Sequence, residues 1–244
     1  MNYGLYTLFL GLRSRQDTLD VQANNIANAS TAGFKAERLV YSTFESDKKG
    51  TGDKQQLVAG VVASSGTDFS EGSVQQTGRN LDIAIEGDAF IQVQTPRGVR
   101  YTRAGNLSLN NGGQLVTNKG SLVVGEKGPI TVPAEGAISI GQKGSLMADG
   151  QEFDTINLVR FKNPAAALIK DGDSMFMATG TEAPQQNVDS KVIQGSLESS
   201  NINSVTEMVA MINNNREFEA MQKSLTLLTG DIGRKISNEI GKIS

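Results

Sequence analysis

Apolar side chains recur with helical spacing at both ends of this chain and with strand spacing in between, and few folds accommodate that order. At the N-terminal end, Leu5, Phe9, Leu12, Gln16, Leu19, Ala23 and Ile26 follow one another at steps of four and three. At roughly 100° per residue they share one stripe. Arg13, Asp17, Asp20, Asn24 and Asn28 fall on the other side. The pattern predicts an amphipathic helix about 40 Å long, with Gly33 placed to end it as a C′ residue. At the C-terminal end, Met211, Phe218, Leu225 and Ile232 repeat every seven residues. Met208, Gln222, Leu228, Ile236, Ile240 and Ile243 occupy the flanking positions, so the stripe is coiled-coil-like over about four heptads. Ser204-Val-Thr-Glu207 reads as a capping box that opens this helix.

Between the helices the period falls to that of a strand. Leu81–Ile85, Phe90–Gln94, Val99–Arg103, Leu107–Leu109, Gly120–Val124, Ala137–Ile140 and Thr155–Phe161 alternate or run apolar over strand lengths. Pro96-Arg-Gly98, Asn110-Asn-Gly-Gly113, Glu126-Lys-Gly128 and Asp149-Gly150 punctuate them with turn chemistry. The expected fold is therefore α+β: N- and C-terminal helices forming a coiled-coil-like pair, with a central antiparallel β-rich domain. The expected boundaries are an N-terminal helix over 1–33, an extended or β connector over 34–75, and the β domain over 76–185. A return connector over 186–203 and the C-terminal helix over 204–244 complete the chain. The polar, glycine-containing stretch 45–58 reads as an exposed segment.

Composition removes whole classes of chemistry. Among 244 residues there is no Cys, no His and no Trp. Zinc, haem and iron–sulfur sites lose their usual ligands, and Ser-His-Asp and Cys-His catalysis are excluded. Disulfides are impossible, so life outside the cytoplasm would rest on other sources of stability. The net charge of −3 offers no general footprint for nucleic acid. Scattered Asp and Glu give no pair that reads as a general acid and base. Asp171-Gly-Asp-Ser174 lacks the remaining ligand spacing of a calcium loop and reads as a polar turn. No catalytic, cofactor or metal residue is expected, and no small-molecule substrate. The first 12 residues are uncharged, without a basic n-region or a small-residue cleavage site, so no cleaved signal peptide is expected.

The two helices carry more apolar surface than one seam consumes. Tyr6, Leu10, Val21, Val209 and Leu227 lie off the stripes. A helix apolar on more than one face is normally covered on more than one face. Each large apolar side chain left in water forgoes about 1.5–3 kcal/mol. A chain of this kind is expected either to associate through its ends or to leave them partly disordered when alone.

At the end of the first helix, Ala23-Asn-Asn-Ile-Ala-Asn28, Thr31 and Gly33-Phe34-Lys35 resemble the N-terminal signature of bacterial flagellar rod and hook proteins. Leu81-Asp-Ile-Ala-Ile-Glu-Gly87, Tyr101-Thr-Arg-Ala-Gly105, Gly113-Gln-Leu-Val116 and Gly195-Ser-Leu-Glu-Ser-Ser-Asn-Ile-Asn203 are similar to that family too, so the resemblance spans nearly the whole chain. Within it, the short segment between Phe34 and Leu81, Val124–Pro133 and Arg216–Lys223 resemble the proximal-rod type more than the distal-rod type.

The resemblance implies a structural subunit, not an enzyme, delivered unfolded by the flagellar type III export apparatus and built into a periplasmic, torque-bearing helical shaft. Its partners would be further copies and other rod or axial proteins. Open assembly of that kind requires heterologous contacts that do not close into a ring. Leu5, Phe9, Leu12, Leu19 and Ile26 would pack on Met211, Phe218, Leu225 and Ile232 of the same chain as the assembly seam. Asn24, Asn25 and Asn28 would bridge neighbouring helices or form the turn that follows the helix. Gly33 would supply a positive φ, and Phe34 would anchor the exit. Lys35, Glu37 and Arg38 would pair with another subunit or face solvent. Tyr101-Thr-Arg103 would be a strand with cross-strand packing, an intersubunit role for Arg103 being the alternative. The rivals are a carboxylate hydrolase, marked by peptidoglycan cleavage, and a secreted β-domain adhesin, marked by adhesion without a motility role.

Overall fold

The computed structural model describes residues 2–46, 57–133, 138–186 and 189–240, with side chains over 6–41 and 64–230 apart from 134–137 and 187–188. Most of the 45–58 segment, Ala137 and Ile243 therefore lie outside the described residues, as do the side chains of Leu5, Ile232, Ile236 and Ile240. The chain forms two compact units. One comprises Met1–Ile26, Glu37–Gly66 and Asn203–Ser244; the other comprises Ala27–Ala36 and Thr67–Ile202.

The first unit holds the two long helices. Helix α1 spans Asn2–Ala27 and ends before Gly33, so that glycine is not its C′ residue. Helix α3 spans Ser204–Ile240; a one-turn helix α2, Pro164–Ala167, lies in the other unit. The cap of α3 is Asn203, not Ser204. The Asn203 Oδ1 accepts from the amides of Val205 and Thr206 at 3.1 Å each, and its carbonyl accepts from Glu207 N at 3.0 Å. An Asn here satisfies donors that the first turn cannot pair itself.

On α3 the half-buried positions are Ser204, Glu207, Ala210, Met211, Asn214, Phe218, Met221 and Leu225, and from Met211 onward they follow a three-four alternation along one face. The flank expected from sequence is on the wrong side: Met208, Gln222 and Leu228 are exposed. Polar pairing selects the face. Arg15 donates to Asn214 Oδ1 at 2.8 Å and pairs with Glu217, while Asn214 donates to Gln22 at 2.9 Å. Gly11 leaves room for the Met221 sulfur, which would lie 3.8 Å from a Cβ at that position.

Strand Glu37–Ser46 pairs with Leu57–Thr67 and is also tied to α1. Asn25, 1% exposed, donates to Glu37 O at 2.9 Å and accepts from Glu37 N at 3.0 Å. The Tyr41 hydroxyl donates to Ser14 O at 2.7 Å, within reach of the Thr18 hydroxyl. Asn25 thus bridges helix to strand rather than helix to helix.

The second unit is antiparallel β throughout its registered pairs. Its main sheet runs Leu168–Lys170, Met175–Ala178, Gly98–Thr102, Ala89–Thr95, Leu122–Gly125, Leu115–Thr117, Leu107–Leu109. Ala89–Thr95 is the keystone, since Leu158–Arg160 also pairs with it. Both faces of that strand are covered. Ile91 and Val93 face the larger core with Ile83, Leu107, Leu115 and Leu158, and Phe90 faces a second core with Tyr101, Phe161, Leu168 and Phe176. In the second core, Phe90 meets Phe69 edge-on at 5.7 Å and Tyr101 meets Phe161 edge-on at 5.1 Å, the arrangement aromatic quadrupoles favour.

Two features depart from the sequence pattern. The apolar run Thr155–Phe161 is not one strand. Gln151–Thr155 pairs with Ser145–Ala148 and Leu158–Arg160 with Ala89–Ile91. The chain changes sheets between them, where Ile156 N bonds Gly144 O and Asn157 N bonds Val124 O. The stretch read as a return connector carries two strands. Lys191–Gln194 pairs with Ile83–Glu86, with Ile85 opposite Val192, and Ser196–Glu198 pairs with Val74–Gln76.

Candidate functional site

Three segments far apart in sequence converge on a buried ionic cluster in the β unit. Lys35, from the N-terminal signature, is fully buried, and its ammonium lies 2.6 Å from Glu198 Oε1. It also donates to Ser70 O at 2.7 Å. Arg103, at the end of strand Gly98–Thr102, donates to Glu198 Oε2 at 3.3 Å and to the carbonyls of Ile85 and Gly87. Its guanidinium carbon sits 5.1 Å above the Phe90 ring. Gly72 N donates to Glu198 Oε1 at 3.0 Å. The carboxylate therefore receives three donors, two of them cationic, in a pocket where bulk water contributes nothing. Burial lowers the Lys35 pKa from its ordinary 10.5, and the Glu198 carboxylate opposes that shift.

The backbone of Gly33–Ala36 is held by the same neighbours. Gly33 N donates to Glu198 O at 2.8 Å. Ala36 N donates to Asn201 Oδ1 at 2.8 Å, while Asn201 Nδ2 donates to Asp68 O at 2.8 Å and to Ser70 Oγ at 3.0 Å. Ala36 O accepts from Asp68 N at 2.8 Å. Phe34 is buried, with the Lys170 ammonium 3.7 Å from its ring centroid. Gly33 has φ +64, as expected, but its use lies elsewhere than at a helix end. A Cβ there would come within 2.3 Å of the Arg103 carbonyl carbon.

The expected positions thus sort themselves by place. Gly33, Phe34 and Lys35 come together in this cluster. Lys35 is neither solvated nor free to reach another subunit, because burial obliges it to pair inside the chain; Arg103 is buried beside it. Thr31 and Asn28 form the preceding turn, with Thr31 N bonded to Asn28 O at 3.0 Å and the Thr31 hydroxyl 3.3 Å from Asn28 Oδ1. Asn24 is exposed on α1. Of the expected seam, Leu12, Leu19, Ile26, Met211, Phe218 and Leu225 are half-buried. Phe9 is 57% exposed and takes no part in an intramolecular seam.

Sequence reasoning passed over Glu198, Asn201, Ser70 and Gly72. Glu198 and Asn201 sit inside a recognised motif, yet nothing in one sequence pairs them with residues 35 and 36. The Asp171 region is a turn, closed by Asp171 N to Met175 O at 2.9 Å, with Asp171 paired to Arg100 at 2.6 Å and Arg97 at 3.0 Å. Among the described residues no cluster of three or more acidic side chains is placed to hold a metal.

Three family models match in chain order. The flagella basal body rod protein model covers residues 5–35, the flagellar hook protein FlgE/F/G D1 domain covers 84–148, and the flagellar basal body rod FlgEFG protein C-terminal model covers 193–227. The flagellar basal-body rod protein FlgF of Caulobacter vibrioides is 36% identical over 244 residues, covering 97% of this chain and 98% of that protein. The chain belongs to the flagellar basal-body rod protein family. FlgF of Mesorhizobium japonicum is 35% identical over 90% of each chain. FlgG of Buchnera aphidicola (strain Sg) is 32% identical over 88% of this chain and 91% of that protein. As a member of the rod family the chain is a structural component of the flagellar basal body, not an enzyme. All three family matches reach the buried cluster: the N-terminal one stops at Lys35, the middle one includes Arg103, and the C-terminal one includes Glu198 and Asn201.

Proposed function

We propose that this chain is the proximal-rod, FlgF-like subunit of the flagellar shaft, which transmits torque across the periplasm. The supporting observation is its end-to-end match to FlgF proteins. The helical unit supplies a physical reason for assembly. Val205, Val209 and Ile212 recur at four- and three-residue steps on α3 and are 65%, 54% and 55% exposed. Leu227 on α3 and Tyr6 and Phe9 on α1 are likewise more than half exposed. Covering the outward half of each gains about 1 kcal/mol, so the set together approaches the net stability of a small domain.

In this reading α1 and α3 pair as a coiled-coil-like core through Leu5, Leu12, Leu19, Ile26, Met211, Phe218, Leu225 and Ile232. The second stripe and Phe9 meet neighbouring subunits. The subunit reaches the periplasm through the flagellar type III apparatus. Full-length similarity to several FlgG proteins supports a second reading, a distal-rod subunit of the same shaft.

The test is complementation of a deletion strain with Phe9→Glu or Val209→Glu. Both variants are expected to fold like wild type, because neither side chain is buried, and both are expected to abolish swimming. Normal swimming by both would refute the assembly reading. An epitope-labelled subunit in purified basal bodies is expected at the proximal end of the rod; a distal position would select the second reading.

A further inference from the structure

We propose that Glu198 is the hub of a clasp through which the returning segment Gly195–Ile202 orders the signature turn Gly33–Ala36. Residues 33–36 belong to no helix or strand, so their polar backbone groups depend on partners from elsewhere. The returning segment meets two of them, Gly33 N through Glu198 O and Ala36 N through Asn201 Oδ1. The same segment provides the only carboxylate bonded to the Lys35 ammonium among the described residues. One carboxylate faces two cations here, and the side chains of Lys35, Glu198 and Arg103 are at most 2% exposed.

That imbalance makes the three charges unequal in their effects. Neutralising Glu198 leaves two buried cations with no bonded carboxylate among the described residues, since Glu71 accepts from Gly87 N and only weakly favours the Lys35 charge. Removing one partner of a buried pair is severe for this reason. The Lys35 stem can relieve the conflict by leaving the pocket, which takes residues 33–36 with it. Removing Lys35 instead leaves Arg103 and Glu198 balanced one to one. The clasp thus predicts an order, with Glu198 above Lys35, and a place, the amides of Gly33, Ala36 and Gly72. The amides of Ile91 and Val93 lie outside it, because the ladder of their strand is made with Gly98–Thr102, Leu122–Gly125 and Leu158–Arg160, and that strand meets Arg103 through the Phe90 ring.

Amide hydrogen exchange on the full chain tests the proposal. In Glu198→Gln, exchange at Gly33, Ala36 and Gly72 is expected to quicken about 100-fold or more, with Ile91 and Val93 unchanged. In Lys35→Met, the same amides are expected to quicken about 10-fold. Unchanged exchange at Gly33 and Ala36 in both variants would overturn the clasp. So would equal acceleration at Ile91 and Val93, which would mark general destabilisation. Should Glu198→Gln fail to fold, Lys35→Met carries the test: acceleration confined to those three amides supports the clasp, and uniform or absent acceleration overturns it.

Discussion

Replacing Gly33 with alanine tests the closeness of the signature turn to the β unit, and its cost separates into two parts. The first is conformational. Gly33 has φ +64, where an L side chain costs about 1–2 kcal/mol. The second is steric. The new Cβ would lie 2.3 Å from Arg103 C, 2.4 Å from Ala104 N and 2.6 Å from Arg103 O. All three atoms are backbone, so no flexible side chain can swing aside. Arg103 is in turn fixed by Glu198 and two carbonyls. Shifting that backbone adds about 2 kcal/mol or more, the scale of overpacking in a rigid core.

Together the two parts amount to about 3–4 kcal/mol, or a fall in Tm of about 6–15 °C for a domain of this size. Gly180→Ala isolates the first part, because Gly180 has φ +80 but nothing within 4 Å of its Cβ position. It is expected to cost about 1–2 kcal/mol. Thermal and urea unfolding of both variants, followed by β-sheet circular dichroism, measure the difference. Equal losses in the two variants would refute the close-approach argument.

Asn201→Ala removes the acceptor for Ala36 N and the donor to Asp68 O, and is expected to cost about 1–3 kcal/mol in urea unfolding. Phe90→Ala empties the centre of the aromatic core and removes the ring beneath Arg103; a loss of about 3–5 kcal/mol is expected from the same measurement. The hydrogen bond from Arg100, with further help from Arg97, holds the Asp171 carboxyl below its ordinary value of 3.8. A carboxyl depressed in the folded state stabilises above its unfolded pKa, and that contribution fades as pH falls through the folded value. Asp171→Asn is therefore expected to flatten the acid side of the stability profile as pH falls below the ordinary carboxyl value, read from urea midpoints.

The helices and most core strands were legible because their signal is periodic and local. The stripe through Met211, Phe218 and Leu225 needs only a three-four spacing, and Ala89–Thr95 announces itself through Phe90–Val93. What escaped was decided by long-range partners. The flank of α3 follows Asn214, which is polar and gains its place through Arg15 and Gln22 on another helix. The strands at Lys191–Gln194 and Ser196–Glu198 are too short to carry a pattern, and they exist because Ile83–Glu86 and Val74–Gln76 leave edges to pair. Lys35 reads as solvated in any single sequence, since lysine is seldom buried without a partner and the partner here is residue 198. Even so, the resemblance had marked both ends of that contact as signature residues without supplying the reason they belong together.

The pairing of Ile85 with Val192 also bears on the kinetics of maturation. A chain that emerges N-end first presents Ile83 and Ile85 long before their partner strand exists, and loop closure over that distance is slow compared with hairpin formation. Until the tail arrives, the early strand edge stays open to mispairing with other unfinished copies. Crowded delivery of many such chains to one site would therefore favour helpers that shield the nascent edge, or passage one molecule at a time.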